Sequence, residues 1–198
     1  MKSKIKFFCC LLVPIVLFSC KEGGAYSEKT DMEEPQLSKE DIIKRGEYLV
    51  NIIGCDHCHT PKKMTEHGPV PDMDRRLMGF PASDSIAAIN KDVLGPGKWM
   101  LMNGDLTAFV GPWGMSYGAN ITSDDTGIGT WSYEQFKKSI TEGKYKGLDN
   151  SRPLMPPMPW ESFSLLEEND INAIYEFLMS TKPIENVVPA YVAPPDLQ

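Results

Sequence analysis

The stretch "GCDHCHTP", residues 54 to 61, constrains this chain more than any other. It sets Cys55 and Cys58 three positions apart and puts His59 directly after the second cysteine. Three chemistries use such a pair: a redox dithiol, half of a zinc site, or covalent attachment of haem. Five cysteines are present, but Cys9, Cys10 and Cys20 all fall within the first 20 residues. With no second pair further on and only three histidines (His57, His59 and His67), a structural zinc site lacks ligands. A redox dithiol of this spacing expects a strand before the motif, whereas the pattern here is helical and stops at Gly54. Haem attachment uses every residue of the motif. The two thiols add across the two vinyl groups, and the next residue is delivered under the iron as a ligand. Cys55 and Cys58 are therefore expected to hold one haem c, with His59 as the first axial ligand. The dithiol remains the alternative.

The N-terminus bears on where this chemistry takes place. Met1 to Lys6 carries three lysines and no acid, and "IKFFCCLLVPIVLF" (5–18) is almost wholly apolar. That is the pattern of a secretory signal, too short for a comfortable membrane span; a short transmembrane anchor is the alternative. "LFSC" (17–20) resembles a bacterial lipobox, which implies cleavage before Cys20 and lipidation of that cysteine. Several acyl chains hold a protein firmly, since each buried CH₂ contributes about 0.8 kcal/mol. The expected setting is the periplasmic side of a membrane. Lys21, rather than an aspartate, follows the cysteine and leans the expectation toward the outer membrane. The chain thus divides into a leader (1–19), a tether (20–37), a domain (38–189) and an extended tail (190–198). Cleavage removes three of the 20 basic residues and none of the 27 acidic ones, for a net charge of about −10. A body this acidic is a poor nucleic-acid binder and is steered toward basic protein surfaces.

The domain reads as mainly α. "SKEDIIKRGEYLVNIIGC" (38–55) predicts a first helix capped by Ser38 and stopped by Gly54. Ile42, Gly46, Leu49 and Ile53 share one face of it. A glycine costs about 1 kcal/mol there relative to alanine, which close approach by another helix would explain. "WSYEQFKKSITEG" (131–143) predicts a second helix, with Ser132 and Gln135 as a capping box and Phe136 and Ile140 as its apolar pair. "EENDINAIYEFLMSTKP" (167–183) predicts the last, burying Ile171, Ile174, Tyr175 and Leu178 and stopped by Pro183. Residues 60–119 are irregular and too long for a plain connection, so they are expected to pack as an insertion. A short helix over 84–93 and a hairpin around Asn103-Gly104 are expected within it.

His59 needs a partner across the iron. His57 lies inside the motif, and His67 follows close behind it. Among the methionines, "RPLMPPMPW" (152–160) sets Met155 and Met158 in a proline-rich loop before the last helix. Prolines remove chain freedom, which suits a loop that must hold a weak thioether on a metal. Met158 is the expected second ligand, with Met155 as the alternative.

Helix, "CDHCHT", a methionine on a proline loop and a final helix with aromatic residues together resemble the class I cytochrome c fold. In that fold the first and last helices cross tightly, and the resemblance implies Gly46 against Tyr175. "GPWGMSYGANITSDDTGIGTWSYEQF" (111–136) and "RPLMPPMPW" are similar to bacterial cytochrome c proteins related to the cytochrome subunits of membrane-bound alcohol and gluconate dehydrogenases. The resemblance covers roughly residues 40–189. It again implies Met158 as the ligand and places Trp131 or Asn120 at the haem edge; the bland alternatives are a core aromatic and a turn residue. Those dehydrogenase subunits carry several haems, whereas one CxxCH motif is present here.

Histidine–methionine ligation leaves no open position on iron and raises its potential, which suits passing one electron. The expected function is a lipid-anchored monohaem electron carrier. It would take electrons from a dehydrogenase or quinol-oxidising complex and pass them to an oxidase or another cytochrome. A haem enzyme or sensor with a displaceable methionine, or a permanent subunit of a larger complex, are the alternatives.

Overall fold

The computed structural model describes residues 37–197. The expected leader, the lipidation site Cys20 and the tether up to residue 36 lie outside the described residues. Among the described residues no helix is long and apolar enough to cross a membrane.

Helix α1 spans Lys39–Ile53. Ser38 caps it by accepting from the Asp41 amide at 3.2 Å, and Gly54 ends it at φ 84°, where a side chain would be strained. Its buried residues, Gly46, Leu49 and Val50, face α5 (Glu168–Met179), which contributes Ile171, Ala173, Ile174, Phe177 and Leu178. The crossing is tight because Gly46 has no side chain: a Cβ there would lie 1.9 Å from the Ala173 carbonyl oxygen and 2.7 Å from Phe177 Cβ. The expected partner, Tyr175, is not the one. Ala173 and Phe177 are four apart and share the face that meets α1, whereas Tyr175 points toward α3 (Tyr133–Glu142). Its ring packs 5.6 Å from Tyr133 and 5.5 Å from Phe136, and its hydroxyl donates to the Trp131 carbonyl at 2.8 Å.

Helix α3 begins on Ser132, which accepts from the Gln135 amide at 3.2 Å, and buries Phe136, Ser139 and Ile140; a single turn, α4 (Trp160–Phe163), precedes α5. The expected capping box is half made: the Gln135 side chain donates to the Lys146 carbonyl at 2.9 Å instead of returning to the cap.

The insertion is mostly sheet and turn. Just after the cysteine motif, β1 (Lys62–Thr65) and β2 (Gly68–Pro71) form an antiparallel hairpin that the sequence pattern does not announce. No helix forms over 84–93; only Lys91–Val93 makes a 3₁₀ turn, begun by Asn90. Ile86 and Ile89 lie instead along an apolar groove shared with Leu101, Phe109 and Met115, so their contacts are met by an irregular chain. The hairpin at Asn103 is present between β3 (Leu101–Met102) and β4 (Ala108–Gly111). The Asn103 side-chain oxygen accepts from the Thr107 and Ala108 amides at 2.9 and 3.0 Å, closing the loop. Strand β5 (Gly114–Tyr117) completes a three-stranded meander.

The chain after α5 is fastened to this insertion, and the tail expected to be extended turns into a 3₁₀ helix over Pro194–Asp196. Buried Asn186 donates to the Met78 and Phe80 carbonyls at 2.7 and 2.9 Å and accepts from the Ala82 amide at 2.9 Å. Further on, Val192 pairs with Met115 on the edge of β5.

Candidate haem site

The motif forms its own short helix, α2 (Cys55–His59), entered through Gly54. Three side chains fix it. Asp56, between the cysteines, accepts from Thr60 Oγ1 at 2.7 Å and from Arg76 Nη2 at 2.8 Å. Arg76 also donates to Asn51 of α1 at 2.8 Å and lies 5.3 Å over the Phe177 ring of α5. One guanidinium thus ties the motif to both crossing helices. At the other end, the Lys62 ammonium donates to the carbonyls of His57 at 3.0 Å and of Thr60, capping the free C-terminus of α2.

Cys55 and Cys58 are unbonded and half-buried. Burial pushes the Cys55 thiol up to about 12, and burial also raises Cys58. A redox dithiol depends on a lowered thiol pKa, so these surroundings weigh against exchange.

His59 is buried at 8% exposure. Its Nδ1 donates to the Ala119 carbonyl at 2.7 Å. That bond places the ring proton on Nδ1 and leaves the Nε2 lone pair free, the state a metal requires. Burial lowers the His59 pKa, outweighing the opposing pull of the Ala119 carbonyl, and so favours the neutral ring. Nε2 has no hydrogen-bond partner among the described residues. The backbone around His59 is close-packed. The Gly79 amide donates to the His59 carbonyl at 2.8 Å, and a Cβ on Gly118 would sit 2.0 Å from the Cys58 carbonyl oxygen. The residues present therefore fit a covalently held haem: two unbonded thiols on one turn, and an oriented, neutral imidazole whose outer nitrogen has no hydrogen-bond partner among the described residues.

The other histidines stand apart. His57 is exposed with Nδ1 beside the Gly54 carbonyl, and His67 is exposed at the β1–β2 tip beside Glu66. Met155 and Met158 are both half-buried, on a loop held at several points. Leu154 donates to the Gly143 carbonyl at 2.7 Å, the Met158 amide to the Met155 carbonyl at 3.3 Å, and Ser116 Oγ to the Pro156 carbonyl at 2.6 Å.

Asn120 and Trp131 separate. Asn120 is buried, donates to Thr126 Oγ1 at 3.1 Å and the Ile184 carbonyl at 2.8 Å, and accepts from the Thr122 amide at 3.0 Å. Its side chain is spent on shaping the 120–126 loop. Trp131 packs against the main core while half-buried, and its indole N–H has no partner among the described residues. Arg76, Lys62, Thr60 and Ala119 carry no signal of their role in the sequence. Only the acid inside the motif, Asp56, hints that a cation comes to meet it.

Fold and site define a cytochrome c type of protein, helical with small sheets. Comparison with known proteins agrees. No family model matches. The chain is 30% identical over 139 residues to the gluconate 2-dehydrogenase cytochrome c subunit of Pantoea cypripedii, covering 70% of this chain and 23% of that protein. It is 27% identical over 176 residues to the alcohol dehydrogenase (quinone) cytochrome c subunit of Gluconobacter oxydans, covering 88% of this chain and 27% of that one. An 80-residue stretch, 39% of this chain, is 32% identical to the fructose dehydrogenase cytochrome subunit of Gluconobacter japonicus and covers 16% of it. The chain is thus a homologue of the cytochrome c subunits of quinone-linked dehydrogenases, at modest identity, and spans about a quarter or less of these relatives.

Proposed function

We propose that this chain is a one-electron carrier with a single haem c, held by Cys55 and Cys58 and ligated by His59 and Met158. The observation that carries the reading is the His59–Ala119 hydrogen bond, which readies the outer ring nitrogen of a histidine next to two available thiols. Haem, when bound, supplies a one-electron couple. The chain's own residues then have defined tasks. Ala119 fixes the imidazole plane and adds to its basicity. Arg76, Thr60 and Lys62 hold α2 so that both thiols stay on one turn. The proline loop would supply the thioether as a second ligand and so leave water and small ligands no open place on the metal.

The homology supports a dehydrogenase as electron donor; the acceptor would be an oxidase or another cytochrome. Such redox encounters are small and short-lived. The lipobox-like end at Cys20 supports a lipid anchor on the periplasmic side, with a lean to the outer membrane. The test is a pyridine haemochrome spectrum and an optical redox titration on protein matured in a host that attaches haem c. One c-type haem per chain, low-spin in both states, is expected. A high-spin or carbon monoxide-binding iron would favour an enzyme or sensor, and unmodified thiols would return the dithiol reading.

A further inference from the structure

The insertion and the methionine loop are joined by a short chain of hydrogen bonds. Trp113 Nε1 donates to Ser116 Oγ at 3.2 Å, and Ser116 Oγ donates to the Pro156 carbonyl at 2.6 Å. Ser116 is buried at 8% exposure, so water competes little for either bond. The hydroxyl has one proton to give; because Trp113 occupies its acceptor side, that proton is aimed at Pro156. Trp113 is itself held, its carbonyl accepting from the Tyr191 hydroxyl of the C-terminal tail. Tyr191 also lies beside Arg152 at the start of the methionine loop, with the guanidinium 5.2 Å from its ring centroid. Pro156 stands between the two candidate ligands, Met155 and Met158. Three residues beyond Ser116, Ala119 is the acceptor that orients His59.

We infer that Ser116, aimed by Trp113, is a positioning residue for the methionine ligand, and that the insertion serves to brace the two axial ligands from one strand and its continuation. The inference rests on methionine ligation as proposed above, with Met158 or Met155 as the donor. A loop that loses this side-chain tether samples more conformations, so its thioether competes less well for the iron. Imidazole in solution is a probe of that competition, since it can bind only by displacing the methionine.

The experiment titrates imidazole into mature, oxidised holoprotein and follows the methionine-to-iron charge-transfer band at the red edge of the visible spectrum. In Ser116→Ala the apparent imidazole affinity is expected to rise about tenfold, the equivalent of one lost hydrogen bond. Ser116→Thr, which keeps the hydroxyl, should restore wild-type affinity. Trp113→Phe, which removes the N–H that aims the hydroxyl, should shift it in the same direction by a smaller factor. A purely structural role for Ser116 would lower the melting temperature and leave imidazole affinity where it was, and that result overturns the inference. If the wild-type protein shows no methionine band at all, the ligand reading fails and this inference fails with it. A wild-type band with unchanged affinity in Ser116→Ala removes the inference alone.

Discussion

Arg76 Nη2 donates to Asp56 Oδ2 at 2.8 Å, joining the residue between the two cysteines to a guanidinium that also reaches α1 and α5. Both side chains are only 18% exposed. Removing the cation strands a carboxylate in partly dry surroundings, which costs more than the pair contributes when intact. Arg76→Gln is expected to lower stability by about 2 kcal/mol in urea unfolding of the mature protein. Asp56→Asn should cost less, and the double variant less than the sum of the two. Additive losses would show that Arg76 acts through Phe177 packing and not through the ion pair.

The same pair sets an acid limit. Burial pushes the Asp56 carboxyl up, but hydrogen bonds from Arg76 and Thr60 outweigh it, and the net pKa lies below the ordinary carboxylate value. A carboxyl depressed by folding stabilises the native state above the unfolded value of about 3.9 and loses that contribution as pH falls through the folded one. Between about pH 7 and 5 the stability gap between wild type and Asp56→Asn should therefore stay constant. From about pH 4 downward it should close. A gap that does not narrow at all below about pH 4 would assign the stabilisation to shape and neutral hydrogen bonding.

Gly46 makes a stability prediction with little room for relief. An alanine methyl there would lie 1.9 Å from a backbone oxygen of α5, which no rotamer change can clear. Gly46→Ala should gain a little helix propensity but force the helices apart, for a net loss of about 3 kcal/mol. A melting temperature equal to wild type would mean that α1 and α5 can part by a methyl's width without cost.

What could be read in advance follows the reach of each interaction. Ser38, Gly54, Ser132 and Asn103 act on backbone groups within a turn or so of themselves, so their caps and turns are legible in order. The motif is legible because haem attachment demands a fixed local spacing. The partners that finish the site are remote. Arg76 lies 20 residues from Asp56, and Ala119 lies 60 from His59 and contributes only a carbonyl, which any residue carries. Tyr175 and Phe177 are both aromatic in one helix, and only the position of α1 decides which of them faces the glycine. The run at 84–93 has isoleucines at helical spacing, yet the neighbouring sheet offers an irregular chain apolar contacts of its own.

Cys20 carries the localisation reading. Lipid on its thiol and new amino terminus would hold the mature chain at a membrane, and a serine in its place offers no thiol for that chemistry. Cys20→Ser should move the cytochrome from the membrane fraction to the soluble periplasmic extract with its spectrum unchanged. Retention of the variant on washed membranes would point to a transmembrane leader or to a tightly bound partner.

Met158 and Met155 divide the last prediction between them. Both are half-buried, and they flank the proline pair whose first carbonyl Ser116 holds. Alanine at the true ligand would remove the thioether and leave the haem with the proposed His59 ligand alone. Met158→Ala should therefore lose the red-edge charge-transfer band, turn high-spin in the oxidised state and bind carbon monoxide when reduced. Its midpoint potential should fall, because a methionine ligand raises it. Met155→Ala should keep the band and shift the potential little, as a packing change beside the site would. If the two variants exchange these behaviours, the ligand is Met155, and the Ser116 tether then positions the residue directly before Pro156.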